Sequence, residues 1–165
     1  MKCIQFRPYV NKDISAFTFT VEKPEVKVIG GILGFGGINQ IWYTVRSSLI
    51  EGDIKREDED FEWLRTTLHR FYPANFVRFK VMQIPPLRRT KSFLPEDTKS
   101  LDKRTLMIRA FLDALLKQPL MFNTRLLLNF FSIADYSKFQ RFKQEIGTIG
   151  FMKVLSNLQT ESGTA

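Results

Sequence analysis

The chain has 165 residues, 44% of them apolar and 13% aromatic with sixteen Phe, which is core material for one folded domain and excludes a disordered or low-complexity reading. Lys and Arg outnumber Asp and Glu by 25 to 17, a surplus of +8 that favours an anionic partner, a membrane surface or nucleic acid. Cys3 is the single cysteine, which excludes an intrachain disulfide and a cysteine-built zinc cluster and points to a cytosol-facing protein.

Residues 1–16 read as an N-terminal tail. The stretch MKCIQFRPYVNKD is broken by Arg7, Pro8 and Lys12, so it lacks the apolar core of a signal peptide, and no run nears the roughly 20 apolar residues of a membrane span. Any membrane contact is therefore expected to be peripheral. Residues 17–29, FTFTVEKPEVKVI, alternate β-formers with polar residues around Pro24, and 41–50, IWYTVRSSLI, do the same; both read as strands. Between them 30-GGILGFGGINQ-40 reads as a long flexible connector. It has no Gly-Lys-Ser/Thr ending and no Gly-x-Gly-x-x-Gly frame, so a nucleotide-binding loop is not supported. A third strand is expected near 52–57, after the turn at Glu51-Gly52-Asp53.

From Asp60 the period changes. Phe61, Leu64, Leu68 and Phe71 fall on one helical face, and Pro73 ends the helix. The acidic run 57-EDED-60 suits a first helical turn, where carboxylates interact well with the helix dipole. An irregular basic loop, 84-IPPLRRTKSFLPEDTKS-100, follows, with Pro85-Pro86 extended. Leu101, Ile108, Phe111, Leu112, Leu115 and Leu116 make the stripe of a second helix, with Ser100 a candidate N-cap and Pro119 a stop. A short helix near 123–131 and another over 135–147 complete the domain, and 148–165 read as a C-terminal tail. These elements give an α+β fold, a three-stranded antiparallel sheet packed on three or four helices, with the domain proper at 17–147.

The order of three motifs resembles the PX (phox homology) domains of sorting nexins. They are the helix 60-DFEWLRTTLHRFYP-73, the loop 85-PPL-87 and the helix 103-KRTLMIRAFLDALLKQPL-120. The resemblance covers about residues 17–132. It implies a PX-like fold, no catalytic residues, no metal and no cofactor, and a peripheral membrane module that binds phosphoinositide headgroups, phosphatidylinositol 3-phosphate by family default. Its expected place is the cytoplasmic face of endosomal membranes, in protein transport, with protein partners of a sorting complex.

The resemblance also implies site residues. Arg104 matches the helix arginine that holds ring hydroxyls, Arg88, Arg89 and Lys91 supply the loop charge, and Phe93 and Leu94 stand where the family inserts apolar side chains into the bilayer. Guanidinium forks and ammonium charge suit phosphate. The phosphate grip itself departs from the pattern. Counted back from Phe61 without a gap, the gripping arginine falls on Glu57, the stacking aromatic on Asp58, and the first arginine of the motif on Arg56. A one-residue bulge at the strand end would instead turn Arg56 into the pocket. The ungapped alignment is preferred because it needs no insertion, and it implies weak 3-phosphate binding or another ligand.

Between Pro86 and Ala110 there are seven basic residues, Arg88, Arg89, Lys91, Lys99, Lys103, Arg104 and Arg109, against three acidic ones. The alternative reading is a PX-like protein-interaction module with little lipid specificity, docking a peptide on its groove or outer strand edge. Nucleic-acid binding fits the charge but has no motif, and is not expected. His69, the lone histidine, gives no support to a metal site or a nucleophile pair, and Trp42 and Trp63 read as structural.

Overall fold

A computed structural model describes residues 17–31, 37–72, 98–118 and 124–161, with side chains to position 149. The described residues hold four strands, β1 (Phe19–Val21), β2 (Glu25–Ile29), β3 (Ile38–Ser47) and β4 (Ile54–Glu57). The described helices are α1 (Asp58–Phe71), α2 (Thr98–Leu116), α3 (Arg125–Phe130) and α4 (Tyr136–Glu161). The fold is α+β with an antiparallel sheet, as the sequence implies.

β3 is the centre of the sheet. Both β1 and β2 pair along one of its edges, and β4 pairs along the other. The four strands therefore occupy the three rows expected from sequence, with the first row broken at Pro24. Across the break Val21 faces Val45 but Glu25 faces Trp42, so Glu22, Lys23 and Pro24 stand opposite only Thr44 and Tyr43. Proline cannot donate to a ladder, and the extra residue takes up its place as a bulge. Glu22 still donates its N–H to the Thr44 carbonyl at 2.9 Å.

Strand alternation gives the sheet two unlike faces. Val21, Ile41, Tyr43, Val45, Ile54 and Arg56 are buried on the inner face, where Phe61, Leu64 and Leu68 of α1 and Ile108, Phe111, Leu112 and Leu115 of α2 are also buried. Each fully buried aliphatic or aromatic side chain is worth about 1.5–3 kcal/mol, so this stripe is the main force holding the helices to the sheet. The outer face is polar and bridged by exposed ion pairs, Arg46 to Asp53 at 2.6 Å and to Glu22, and Lys55 to Glu25 at 3.1 Å. The Arg46 hydrogen bond, the largest influence, pulls the Asp53 carboxyl below its ordinary range.

Boundaries differ from the sequence reading where local rules compete. β3 begins at Ile38, three residues before the expected start, because the β2–β3 hairpin keeps pairing through Ile29 and Ile38. Gly37 permits this: a Cβ there would lie 2.7 Å from Val28 Cγ1. α1 begins two residues earlier than the apolar period shows, and Ser100 lies inside the first turn of α2, which starts at Thr98.

The chain forms two compact units, divided between Ala134 and Asp135. In the second, α4 runs through residues 148–161, where the sequence reading had a tail. Gly147 and Gly150 weaken a helix without ending it, and no proline interrupts the stretch. Phe139, Phe142 and Ile146 are buried along one face of α4.

Candidate functional site

The candidate site lies where β4 runs into α1. The register across β3 and β4 is uninterrupted, Val45 to Ile54, Thr44 to Lys55, Tyr43 to Arg56 and Trp42 to Glu57. β4 carries no bulge, in keeping with the ungapped alignment preferred from sequence, and the slip that would have turned Arg56 into a headgroup pocket is absent. Arg56 is fully buried. Its Nη2 donates to the carbonyls of Phe130 at 2.8 Å and Ile133 at 2.7 Å, and its Nη1 to that of Lys55 at 2.8 Å. The guanidinium also lies over the Phe130 ring, 5.2 Å from its centroid. Arg56 thus ties β4 to the C-terminal end of α3, whose last carbonyls lack helical partners and attract a cation. No surface of it remains for a phosphate.

The acids of the run 57-EDED-60 have separate tasks. Glu57 is the N-cap of α1 and forms a capping box with Asp60, whose Oδ2 accepts the Glu57 N–H at 2.8 Å. Glu57 pairs with Trp42, placing it on the outer face of the sheet with Lys55, away from Arg56. Asp58, by contrast, is 8% exposed and sits inside. Both of its oxygens are engaged by Arg104, Nε to Oδ1 at 3.0 Å and Nη2 to Oδ2 at 2.9 Å. Tyr43 also donates its hydroxyl to Oδ1, at 3.3 Å.

Arg104 reaches this point from the inner face of α2, one turn before Ile108, and is 2% exposed. A forked guanidinium on a carboxylate is a strong, geometrically selective pair. Burial, and then the Asp58 charge, push the Tyr43 hydroxyl above the ordinary phenol range. The pocket position that resemblance assigned to a headgroup donor therefore holds a closed Tyr43–Asp58–Arg104 network.

Of the other expected site residues, Arg88, Arg89, Lys91, Phe93 and Leu94 lie outside the described residues, as does the Pro85-Pro86-Leu87 segment. Lys99 and Lys103 are exposed on α2. Arg109, counted in the basic set, donates Nε to the Val21 carbonyl at 2.9 Å and so closes the end of β1. Sequence reasoning missed Asp58 as the partner of Arg104. The signal was present: a carboxylate at the place of the family's aromatic, with the helix arginine kept, is a charge pair in waiting.

No helix among the described residues is long and apolar enough to cross a membrane. A comparison with curated proteins finds no match. The family model for the PX domain matches residues 45–134, a span that runs from the last residues of β3 to just beyond α3. With the sheet, the Asp60-Phe61 helix start and the α2 arginine in their expected order, the chain belongs to the PX domain family, whose members are phosphoinositide-binding membrane-targeting modules.

Proposed function

We propose that this PX domain is a non-enzymatic peripheral membrane module that recognises phosphoinositide-bearing membranes chiefly by charge, with little preference for a 3-phosphate. The observation that carries this reading is the Arg104–Asp58 fork, together with the burial of Arg56 among backbone carbonyls. The position of the 3-phosphate grip holds Glu57, and both arginines nearest the pocket, Arg56 and Arg104, have internal acceptors. The remaining basic residues of the 86–110 segment, Arg88, Arg89, Lys91, Lys99 and Lys103, supply the attraction, at about 1 kcal/mol for each one near an anionic surface. Phe93 and Leu94 add shallow insertion worth roughly 3–5 kcal/mol if both leave water. Endosomal membranes in protein sorting are the first place to look, on the family resemblance.

The test is vesicle sedimentation of the wild type beside Arg88→Glu/Arg89→Glu/Lys91→Glu. The wild type is expected to sediment with phosphoinositide vesicles and the triple variant to stay in solution. Equal sedimentation of both would remove the loop from the membrane face.

A second reading, a protein-interaction module, is favoured by one further observation. Among the described residues β2 is an edge strand, with Val28 and Ile29 exposed beside Ile38, an apolar end suited to an added strand. Absence of sedimentation with any phosphoinositide vesicle would favour this reading over the first.

A further inference from the structure

We infer that the outer edge of β2 is a self-recognition site, where a second copy of this chain adds its own β2 antiparallel across a two-fold axis. The inference rests on the interaction-module reading, in which this edge takes an added strand, and names that strand.

The free edge of the sheet is not uniform. Thr44 accepts the Glu22 N–H and Thr18 accepts the Ser48 N–H, so the even-numbered residues of β3 turn their backbone groups toward the row of β1 and β2. Opposite Trp42, Gln40 and Ile38 in β2 are Glu25, Lys27 and Ile29. Val26 and Val28 therefore turn their N–H and C=O groups outward, and among the described residues β2 has one neighbouring strand, β3. In β1 the outward carbonyl of Val21 accepts from Arg109 of α2 at 2.9 Å, and Lys23 pairs with Asp102 of α2 at 3.6 Å. β2 by contrast stands open: Glu25, Lys27, Val28 and Ile29 are exposed, Val28 at 64%.

The side chains select the strand that fits. A continued sheet keeps inner side chains opposite inner ones, which leaves alternate registers. With Val26 opposite Val26 of the second copy, the two valines exchange their outward N–H and C=O groups, and Glu25 stands opposite Lys27 on each side of the axis. Those charge pairs fall at non-hydrogen-bonded positions, where facing side chains are closest. The Val28 N–H reaches the Pro24 carbonyl of the second copy, and Pro24, with no N–H to give, ends the ladder. A shift of two residues either way sets Lys27 against Lys27 or Glu25 against Glu25, and is repelled. Lys27 is thus the edge charge that turns most strands away, and the acid two residues before it admits this one. Within its own sheet Glu25 meets Lys55 at 3.1 Å and Lys27 lies 5.4 Å from the centroid of the Trp42 ring, contacts exposed enough to be shared.

So short a ladder is a small interface, and the dimer is expected to be weak, with Kd on the order of 100 μM. The experiment is sedimentation equilibrium of the chain without lipid, from about 10 μM to about 1 mM, a range that brackets this Kd. The wild type is expected to rise from the 19.3 kDa monomer toward twice that mass. Glu25→Lys and Lys27→Glu each set like charges opposite one another and should stay monomeric. An equimolar mixture of the two should dimerise as the wild type does, and so should Glu25→Lys/Lys27→Glu, because opposite charges again face each other.

Both positions are exposed, so the variants are expected to keep the wild-type thermal midpoint. Should a single variant fail to fold, the double variant must still dimerise and must not exchange subunits with the wild type. A wild type that stays monomeric to the top of the range, single variants that dimerise as it does, or a mixture that does not, overturns the inference. The vesicle assay decides the other readings separately. A monomer that binds no phosphoinositide vesicle sinks self-recognition and leaves the edge to a strand of another protein.

Discussion

Arg56 and Arg104 are both buried arginines on the inner side of the domain, yet their charges are balanced in different ways. Arg56 is held by three backbone carbonyls, of Lys55 in β4, of Phe130 at the end of α3 and of Ile133 just beyond it, and by the face of Phe130. Those acceptors are neutral dipoles fixed by secondary structure and cannot be exchanged without rebuilding α3. Arg104 is forked onto a side-chain carboxylate, Asp58, rather than onto backbone carbonyls. The first arrangement is set by the backbone and the second by a pair of side chains.

The largest expected effect tests the first half of that contrast. Arg56→Ala strips the carbonyls of Phe130 and Ile133 of their donor and opens a cavity, and should cost about 3–5 kcal/mol of folding free energy in a denaturant titration. A loss under about 1 kcal/mol would mean that the socket is not structural.

Arg104→Ala should cost less, about 2–3 kcal/mol, because Asp58 retains the Tyr43 hydroxyl and some access to water. More telling is its effect on binding. If Asp58 occupies the guanidinium, phosphoinositide vesicle binding by the folded variant should match the wild type. A tenfold loss would place Arg104 on the headgroup instead.

The smallest effect concerns Tyr43. Tyr43→Phe should cost about 1 kcal/mol near neutral pH, the usual worth of one hydrogen bond. Folding favours the neutral phenol, so the stability from Tyr43 is whole below the unfolded value of about 10 and declines as pH rises from there. The stability gap between wild type and Tyr43→Phe should therefore narrow above about pH 10, as read by thermal midpoints across an alkaline series. A gap that stays constant or widens would show that Tyr43 is not held neutral.

The same contrast explains what was legible in the sequence. The family was legible in the resemblance of three motifs, and the three sheet rows and the apolar faces of α1 and α2 follow from periodicity, because burial is periodic: Phe61, Leu64 and Leu68 are fully buried where the spacing puts them. The unbulged pairing preferred for β4 is the one observed, while the bulge at Pro24 in the first row was not foreseen. Proline marks it locally, whereas nothing local in Ile54–Glu57 decides between slipped and unslipped pairing.

Arg104 was singled out but its bond to Asp58 was not, since that residue is 46 positions away and only the fold brings them together. The acidic run was read as one object serving the helix dipole. Strand parity and helix geometry divide it, sending Glu57 to the outer face, Asp60 to the cap and Asp58 to Arg104.

The most direct measurement is sedimentation of the unmodified domain with three vesicle populations matched in surface charge, bearing phosphatidylinositol 3-phosphate, phosphatidylinositol 4,5-bisphosphate or phosphatidylserine alone. With Arg104 on Asp58 and Arg56 in its socket, the expected result is binding to all three within about threefold, or less than 1 kcal/mol of discrimination. Preference for the 3-phosphate by more than tenfold, lost in Arg104→Ala, would contradict it.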